Sequence, residues 1–370
     1  MNIKRAALGL VIAVALAPCG FAKAAPNTAR AAFDNGIIFY NRDDYGTAIE
    51  CFTDALKLDP NDALVYGWRG HTYGSKGDDD RAIADYTQAL KLDPNKAEAY
   101  YNRGNAYAKK GDYDQAVADY TQALKLDPND AAAYNGRGIA YSGKGDDDRA
   151  TADLTQAIKL DPNKAEAYYN RGNAYAKKGD CDQAVADYTQ AIKLDPNDAS
   201  AYNNRGIAYG SKGDDDRAIA DLTQAVKLDP NKASAYYNRG NAYAKKGDYD
   251  QAVADCSQAL KLDPNNALAY YNRGSAYLSK GNERFTRRGT YYNRADAYLS
   301  KVDYDGAIAD FTQAIRLNPN DAKAYHSRGS AYYNKSDYVQ AVADFTQAIR
   351  LNPNDTDAKE LLEIARRRGR

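Results

Sequence analysis

Few side chains in this 370-residue chain are typed and spaced for chemistry. The two histidines, His71 and His326, stand more than 250 residues apart and support neither a catalytic dyad nor a histidine metal site. Three aspartate triplets, Asp78 to Asp80, Asp146 to Asp148 and Asp214 to Asp216, invite a calcium reading but lack the alternating acidic loop that calcium needs. Helix capping and solvation account for them more simply. Cys181 stands where a near-duplicate stretch has Tyr113, and Cys256 where another has Tyr120, so with Cys51 they read as buried, inert thiols. No phosphate-cradling glycine loop and no nucleophile motif occurs. The sequence predicts no cofactor, no metal and no catalysis; an enzyme would need an unrecognised site at Asn282 to Thr290.

What recurs instead is amide and guanidinium. Asn102 returns as Asn170, Asn204, Asn238, Asn272 and Asn293, with Trp68, Gly136 and Ser327 as exceptions. Asn105 returns as Asn173 and Asn241, and Tyr101, Tyr169 and Tyr237 place rings beside them. A carboxamide both donates and accepts, so it can match a peptide unit whatever the side chain. The competing reading is that these amides are solvated or bond to neighbouring helices. Arg103 and Asp119 covary in the same way, as Arg69 with Asp85, Arg137 with Asp153, Arg171 with Asp187, Arg205 with Asp221, Arg239 with Asp255, Arg294 with Asp310 and Arg328 with Asp344. Where Asn35 replaces the arginine, Cys51 replaces the aspartate, and Arg273 alone is left over. These spacings predict structural salt bridges within each unit.

The elements that carry these residues repeat every 34 residues, in a register fixed by Pro60, Pro94, Pro128, Pro162, Pro196, Pro230 and Pro264, and later by Pro319 and Pro353. Two helical patterns fit between successive prolines. In the first, Tyr100, Gly104 and Tyr107 share one face; in the second, Ala116, Tyr120 and Ala123 do. Asn102, Asn105 and Lys109 then point the other way. Gly111 stands where the first helix must stop, and Asp112 or Asp114 can cap the second. Asn95 to Pro162 and Asn163 to Pro230 differ at only eight of 68 places, so the larger internal unit is a pair of repeats. A period of this size means units that cannot bury their apolar faces alone and must stack on copies of themselves.

These residues, a large aromatic, then Gly, Tyr, Ala, an aromatic, Ala and Pro, resemble the tetratricopeptide repeat, in register from Ala29 to Pro264 and from Arg288 to Pro353. The resemblance implies an all-α fold: a right-handed superhelical solenoid of antiparallel helix pairs, with first helices lining a concave groove and a C-terminal capping helix. It also implies protein binding rather than catalysis. On that face the peptide contacts would be Asn102, Asn105, Asn170, Asn173, Asn204, Asn238, Asn241, Asn272 and Asn293 with Tyr101, Tyr169 and Tyr237. Lys109 and Lys323 do not reproduce the basic clamp by which some members hold a C-terminal carboxylate.

The expected organisation is a signal peptide at 1–24, a solenoid at 25–281 of seven full repeats plus a half, and an irregular junction at 282–290. Two further repeats follow at 291–355, then a capping helix with a basic tail at 356–370. The junction is read from the 55-residue gap between Pro264 and Pro319 and from Tyr-Tyr-Asn-Arg at Tyr270 to Arg273 recurring at Tyr291 to Arg294; a second helix looks missing there. Lys4 and Arg5, the apolar run Ala6 to Ala17 and Ala22-Lys23-Ala24 read as a leader cut after Ala24, too short for a stable membrane span. Leu16-Ala17-Pro18-Cys19 resembles a lipobox, with Pro18 out of place, so cleavage ranks above lipidation of Cys19. Charge is balanced at 50 basic and 50 acidic residues, which gives no electrostatic case for nucleic acid. The function read from sequence is an exported, periplasmic scaffold for an unidentified protein or peptide, with a self-assembling structural component of a cell-envelope complex as the alternative.

Overall fold

The structure, a computed structural model, describes residues 28–286 and 303–370. The expected leader, Cys19, Asn293, Arg294 and residues 287–290 of the expected junction lie outside these residues. The described residues form 19 helices and no strand, and the chain divides into two compact units, Met1–Asp180 and Cys181–Arg370.

The first unit holds α1 (Ala29–Tyr40), α2 (Tyr45–Leu58), α3 (Ala63–Ser75), α4 (Asp79–Leu92), α5 (Ala97–Lys109), α6 (Tyr113–Leu126), α7 (Ala131–Gly143), α8 (Asp147–Leu160) and α9 (Ala165–Lys177). The second holds α10 (Cys181–Leu194), α11 (Ala199–Ser211), α12 (Asp215–Leu228), α13 (Ala233–Lys245), α14 (Tyr249–Leu262), α15 (Ala267–Thr286), α16 (Tyr304–Leu317), α17 (Ala322–Asn334), α18 (Tyr338–Leu351) and α19 (Thr356–Arg368). Within each unit, odd-numbered helices are first helices and even-numbered ones second helices, packed as antiparallel neighbours. Consecutive first helices also touch, whereas consecutive second helices make no comparable contact among the described residues, so the first helices occupy the tighter side of each unit.

The small residues explain how closely the pairs approach. A Cβ placed on Gly104 would lie 3.1 Å from a ring carbon of Tyr120, which is 2 % exposed beside Ala116 and Ala123. Burying such a side chain contributes on the order of 2 kcal/mol. The first helices other than α15 end through a left-handed residue, glycine at Gly111 with φ 78°. Asp112 caps α6 by accepting the Gln115 N–H, and Asp130 caps α7 through Ala132 and Ala133. Lys96, Lys164 and Lys232 hold that second capping position in the alternate repeats and form no side-chain cap hydrogen bond.

The arginine–aspartate pairs form within repeats as their spacing predicts. Arg103 donates from Nε and Nη2 to both Asp119 oxygens at 2.7 Å, and the pairs at Arg69, Arg137, Arg205, Arg239 and Arg328 repeat this fork. A third arm joins repeats: Arg103 Nη1 donates to Thr87 Oγ1 of the preceding second helix at 2.9 Å, and Arg137 to Thr121 at 3.1 Å. Exposed Lys–Asp pairs add a second column of stitches, Lys178 with Asp148 at 2.5 Å among them.

One expectation is overturned. Arg273 is not left over; it forks onto Asp310 at 2.7 Å, so α16 is the second helix of α15 and no second helix is missing from that repeat. The anticipated irregular junction fails over 282–286, which continue α15. The packing matches that of the other repeats: Gly274 meets Phe311, Ala307 and Asp310 as Gly104 meets Tyr120. At the C-terminus, α19 buries Ala358, Leu362 and Ala365 on the last repeat, and Asp355 at its start accepts from Ala358 N and lies 2.9 Å from His326 Nδ1.

Candidate binding face of the first helices

Asn102 is half-buried on α5 and makes no side-chain hydrogen bond among the described residues. Asn170, Asn238 and Asn272 of its column turn sideways. Asn170 donates to Oδ1 of Asn135 at 3.2 Å, and Asn135, only 4 % exposed, donates to Glu166 at 3.1 Å. In the second unit Asn238 donates to Asn203 at 3.0 Å and Asn203 to Asn204 at 2.9 Å. Asn272 bonds the Tyr237 hydroxyl, and Ser327 lies 3.5 Å from that of Tyr271. One rule covers these cases: the residue at the Asn102 position reaches the residue at the Tyr101 position of the preceding first helix. Asn102 has no such partner because that preceding residue is Gly67.

Asn105 is also engaged. It accepts from the buried Tyr120 hydroxyl at 2.7 Å, and its amide reaches Tyr101, whose ring lies 5.9 Å from that of Tyr120. Burial raises the Tyr101 and Tyr237 hydroxyls above the ordinary tyrosine value. Asn241 holds the position of Asn105 two pairs of repeats on, with Cys256 in place of Tyr120, and makes no side-chain hydrogen bond among the described residues. Asn173 and Tyr169 are half-buried and engaged with neighbours. In the intervening repeats this position is apolar and open, at Ile139 and Ile207, 38 % and 42 % exposed. Lys177 and Lys245 bend back to the carbonyls of Ser142 and Gly210 at 3.1 and 3.0 Å.

Sequence reasoning missed Asn135 and Asn203. The signal was present: read at 34-residue steps, the Tyr101 position alternates tyrosine with asparagine. His71 Nε2 lies 2.8 Å from the Tyr40 hydroxyl and packs edge-on to Trp68. Cys51 and Cys256 are buried, and burial pushes the Cys256 thiol up to about 12; Cys181 is half-buried. Among the described residues no group of three or more His, Cys, Asp or Glu side chains is placed to hold a metal ion, and no helix is long and apolar enough to cross a membrane.

Against solved structures, the chain is similar to the Cut9–Hcn1 hetero-tetramer of the APC/C, with 18% identity, TM-score 0.55 and coverage of 91% of this chain and 76% of that one. It is similar to a tetratricopeptide repeat protein from Parabacteroides merdae, with 20% identity, TM-score 0.55, and 68% and 99% of the two chains covered. A C-terminal part of a repeat-containing protein from Cytophaga hutchinsonii matches with 20% identity, TM-score 0.52, and 71% and 99% covered. These likenesses concern the fold. A search of curated proteins finds no significant match. Family models described as tetratricopeptide repeat match residues 97–130, 233–266 and 322–355, and one described as TPR repeat matches 36–77, 70–111, 143–179, 172–213, 208–247 and 295–336. With more than half of its length matched in the register that the helices show, the chain belongs to the tetratricopeptide repeat family.

Proposed function

We propose that the protein is an exported, non-catalytic scaffold that holds an extended or helical segment of another protein on the face of its first helices. Membership of the repeat family supports a protein-interaction scaffold. The finer reading rests on one observation: Asn102 and Asn241 present half-buried amides on that face with no bond spent inside the described chain. Such a group can donate to and accept from a peptide unit. Ile139 and Ile207 add apolar contact in the alternate repeats. Asn170, Asn238 and Asn272 serve the site indirectly, by fixing the spacing of neighbouring first helices. Export follows from the basic, apolar and small-residue succession of the first 24 residues.

The test is crosslinking in the native compartment, comparing wild type with the Asn102→Ala, Asn241→Ala double variant. Loss of a specifically captured segment at unchanged helicity supports the groove. Undiminished capture, or a concentration-dependent mass with no partner present, removes it in favour of another surface or of self-assembly. A secreted protein whose N-terminus is Ala25 supports export; a chain keeping Met1 in the cytosol overturns it.

A further inference from the structure

In the first unit the Tyr101 position, read at 34-residue steps, carries Phe33, Tyr101, Asn135 and Tyr169, and at Gly67 alone no side chain. Tyr101 shows what a ring does there: it lies 5.9 Å from the ring of Tyr120 on the second helix. Tyr86 holds the Tyr120 position one repeat earlier and is seated alike. A Cβ on Gly70 would lie 3.2 Å from its ring, as one on Gly104 would lie 3.1 Å from that of Tyr120. A Cβ on Gly67, by contrast, would meet nothing within 4 Å, so the side-chain position beside Tyr86 is open.

The polar groups around this opening are unspent. Tyr86 is 3 % exposed and makes no side-chain hydrogen bond among the described residues, whereas the Tyr120 hydroxyl donates to Asn105 at 2.7 Å. His71, which holds the Asn105 position, is turned to the Tyr40 hydroxyl at 2.8 Å. On the next first helix Asn102 lacks the partner that a side chain at residue 67 would give it. Hydroxyl and amide each forfeit a bond that their counterparts make.

We propose that this notch seats a tyrosine side chain of the bound partner, which supplies the ring that Gly67 lacks. The seat presupposes the binding face proposed above and specifies the residue that the held segment places there. A pattern for the contact exists within the chain: Asn272 bonds the hydroxyl of Tyr237 on the preceding first helix, and Asn102 offers the same amide to a phenol lying over Gly67. The guest ring packs on Tyr86 as Tyr101 packs on Tyr120, an arrangement in which aromatic pairs attract. Glycine permits the entry, because a backbone without a Cβ lets a second chain come close. Phenylalanine fills the same space but leaves the amide unpaired, and a charged side chain loses its hydration against the Tyr86 ring.

The probe is p-cresol, the tyrosine side chain without its backbone, titrated into the full chain by calorimetry. Wild type is expected to show one saturable site. Gly67→Tyr, which supplies the ring from the chain itself, should abolish it. Asn102→Ala should weaken p-cresol by roughly threefold to tenfold, the worth of one hydrogen bond, and leave toluene unaffected. No saturable site in wild type, or one that Gly67→Tyr leaves intact, overturns the proposal. Capture by the first-helix face is judged separately: its loss in the Asn102→Ala, Asn241→Ala variant without a p-cresol site in wild type keeps the groove and removes the tyrosine.

Discussion

The side-chain amide of Asn238 donates to Oδ1 of Asn203 across two neighbouring first helices at 3.0 Å, and Asn203 is 5 % exposed. Part of the asparagine column is thus a lateral fastening between repeats. Asn238→Ala should cost about 1–2 kcal/mol, because it strips a partner from a buried amide. Asn102→Ala, which removes an amide with no bond inside the described chain, should stay within about 0.5 kcal/mol of wild type. Urea unfolding midpoints compare the two; equal losses would contradict the lateral role.

Arg103 ties Asp119 of its own repeat to Thr87 of the one before. Its side chain is 17% exposed and that of Asp119 6%, so water screens the pair little. Arg103→Lys keeps the charge but not the three-way fork, and Arg103→Ala leaves a nearly buried carboxylate unpaired, at a cost of about 3 kcal/mol. Arg103→Met with Asp119→Leu should cost much less than Arg103→Ala alone. Thermal unfolding of the three variants decides, and a double variant as poor as Arg103→Ala would show that the fork, not the stranded charge, carries the energy.

His71 supplies a pH dependence. Burial, and then the Lys109 charge, hold its imidazole below the ordinary value of 6.5. A folded-state pKa below the unfolded one means that its contribution to stability is complete above 6.5 and is lost as pH falls through the folded value. Amides of α3 should therefore exchange faster relative to those of α17 as pH is lowered from about 7.5 to about 5, after correction for intrinsic rates. His71→Gln should flatten that difference. An acid response of α3 that survives in His71→Gln would assign it to another group.

Two local positions are open to improvement. Lys96 occupies the capping position of α5 with φ −90° and ψ 91°, close to the −87° and 100° at which Asp62 caps α3, but forms no side-chain cap. Lys96→Asp should add about 1 kcal/mol. Ser336 ends α17 at φ 66°, where six other first helices have a left-handed glycine, and Ser336→Gly should add about 0.5–1 kcal/mol by removing left-handed strain. Both are read from denaturation midpoints, and a lowered midpoint would mean that the lost lysine or serine contacts matter more than the backbone.

What was legible in the sequence was whatever depends on spacing alone. The period, the Gly104–Tyr120 approach and the forks such as Arg103–Asp119 follow from counting residues on two helices. The lateral bond from Asn170 to Asn135 does not, because it depends on how far one first helix is offset from the next, which one repeat does not encode. The third arm onto Thr87 was hidden similarly. At α15 the 16-residue spacing pointed Asp310 to Arg294, whereas Arg273, 37 residues away in sequence, forks onto it.

Asp215 shows where an internal comparison designs its own experiment. Its Oδ1 is buried and has no hydrogen-bond partner, and Asp79 Oδ1 is the same. The third member of that set, Asp147, is satisfied by the Ser142 hydroxyl at 2.8 Å. Gly74 and Gly210 stand at the Ser142 position in the two unsatisfied repeats, and a Cβ there would meet only Ala82 at 3.8 Å or Ala218 at 3.7 Å, ordinary contact distances. Gly210→Ser should therefore supply the missing donor, for about 1 kcal/mol, and gain about 0.5 kcal/mol more from replacing a helix-interior glycine. Gly210→Ala separates the two effects, since it keeps the second and lacks the first. If serine and alanine stabilise equally, the Asp215 oxygen is satisfied by water, and the buried acceptor is not a weakness of this repeat.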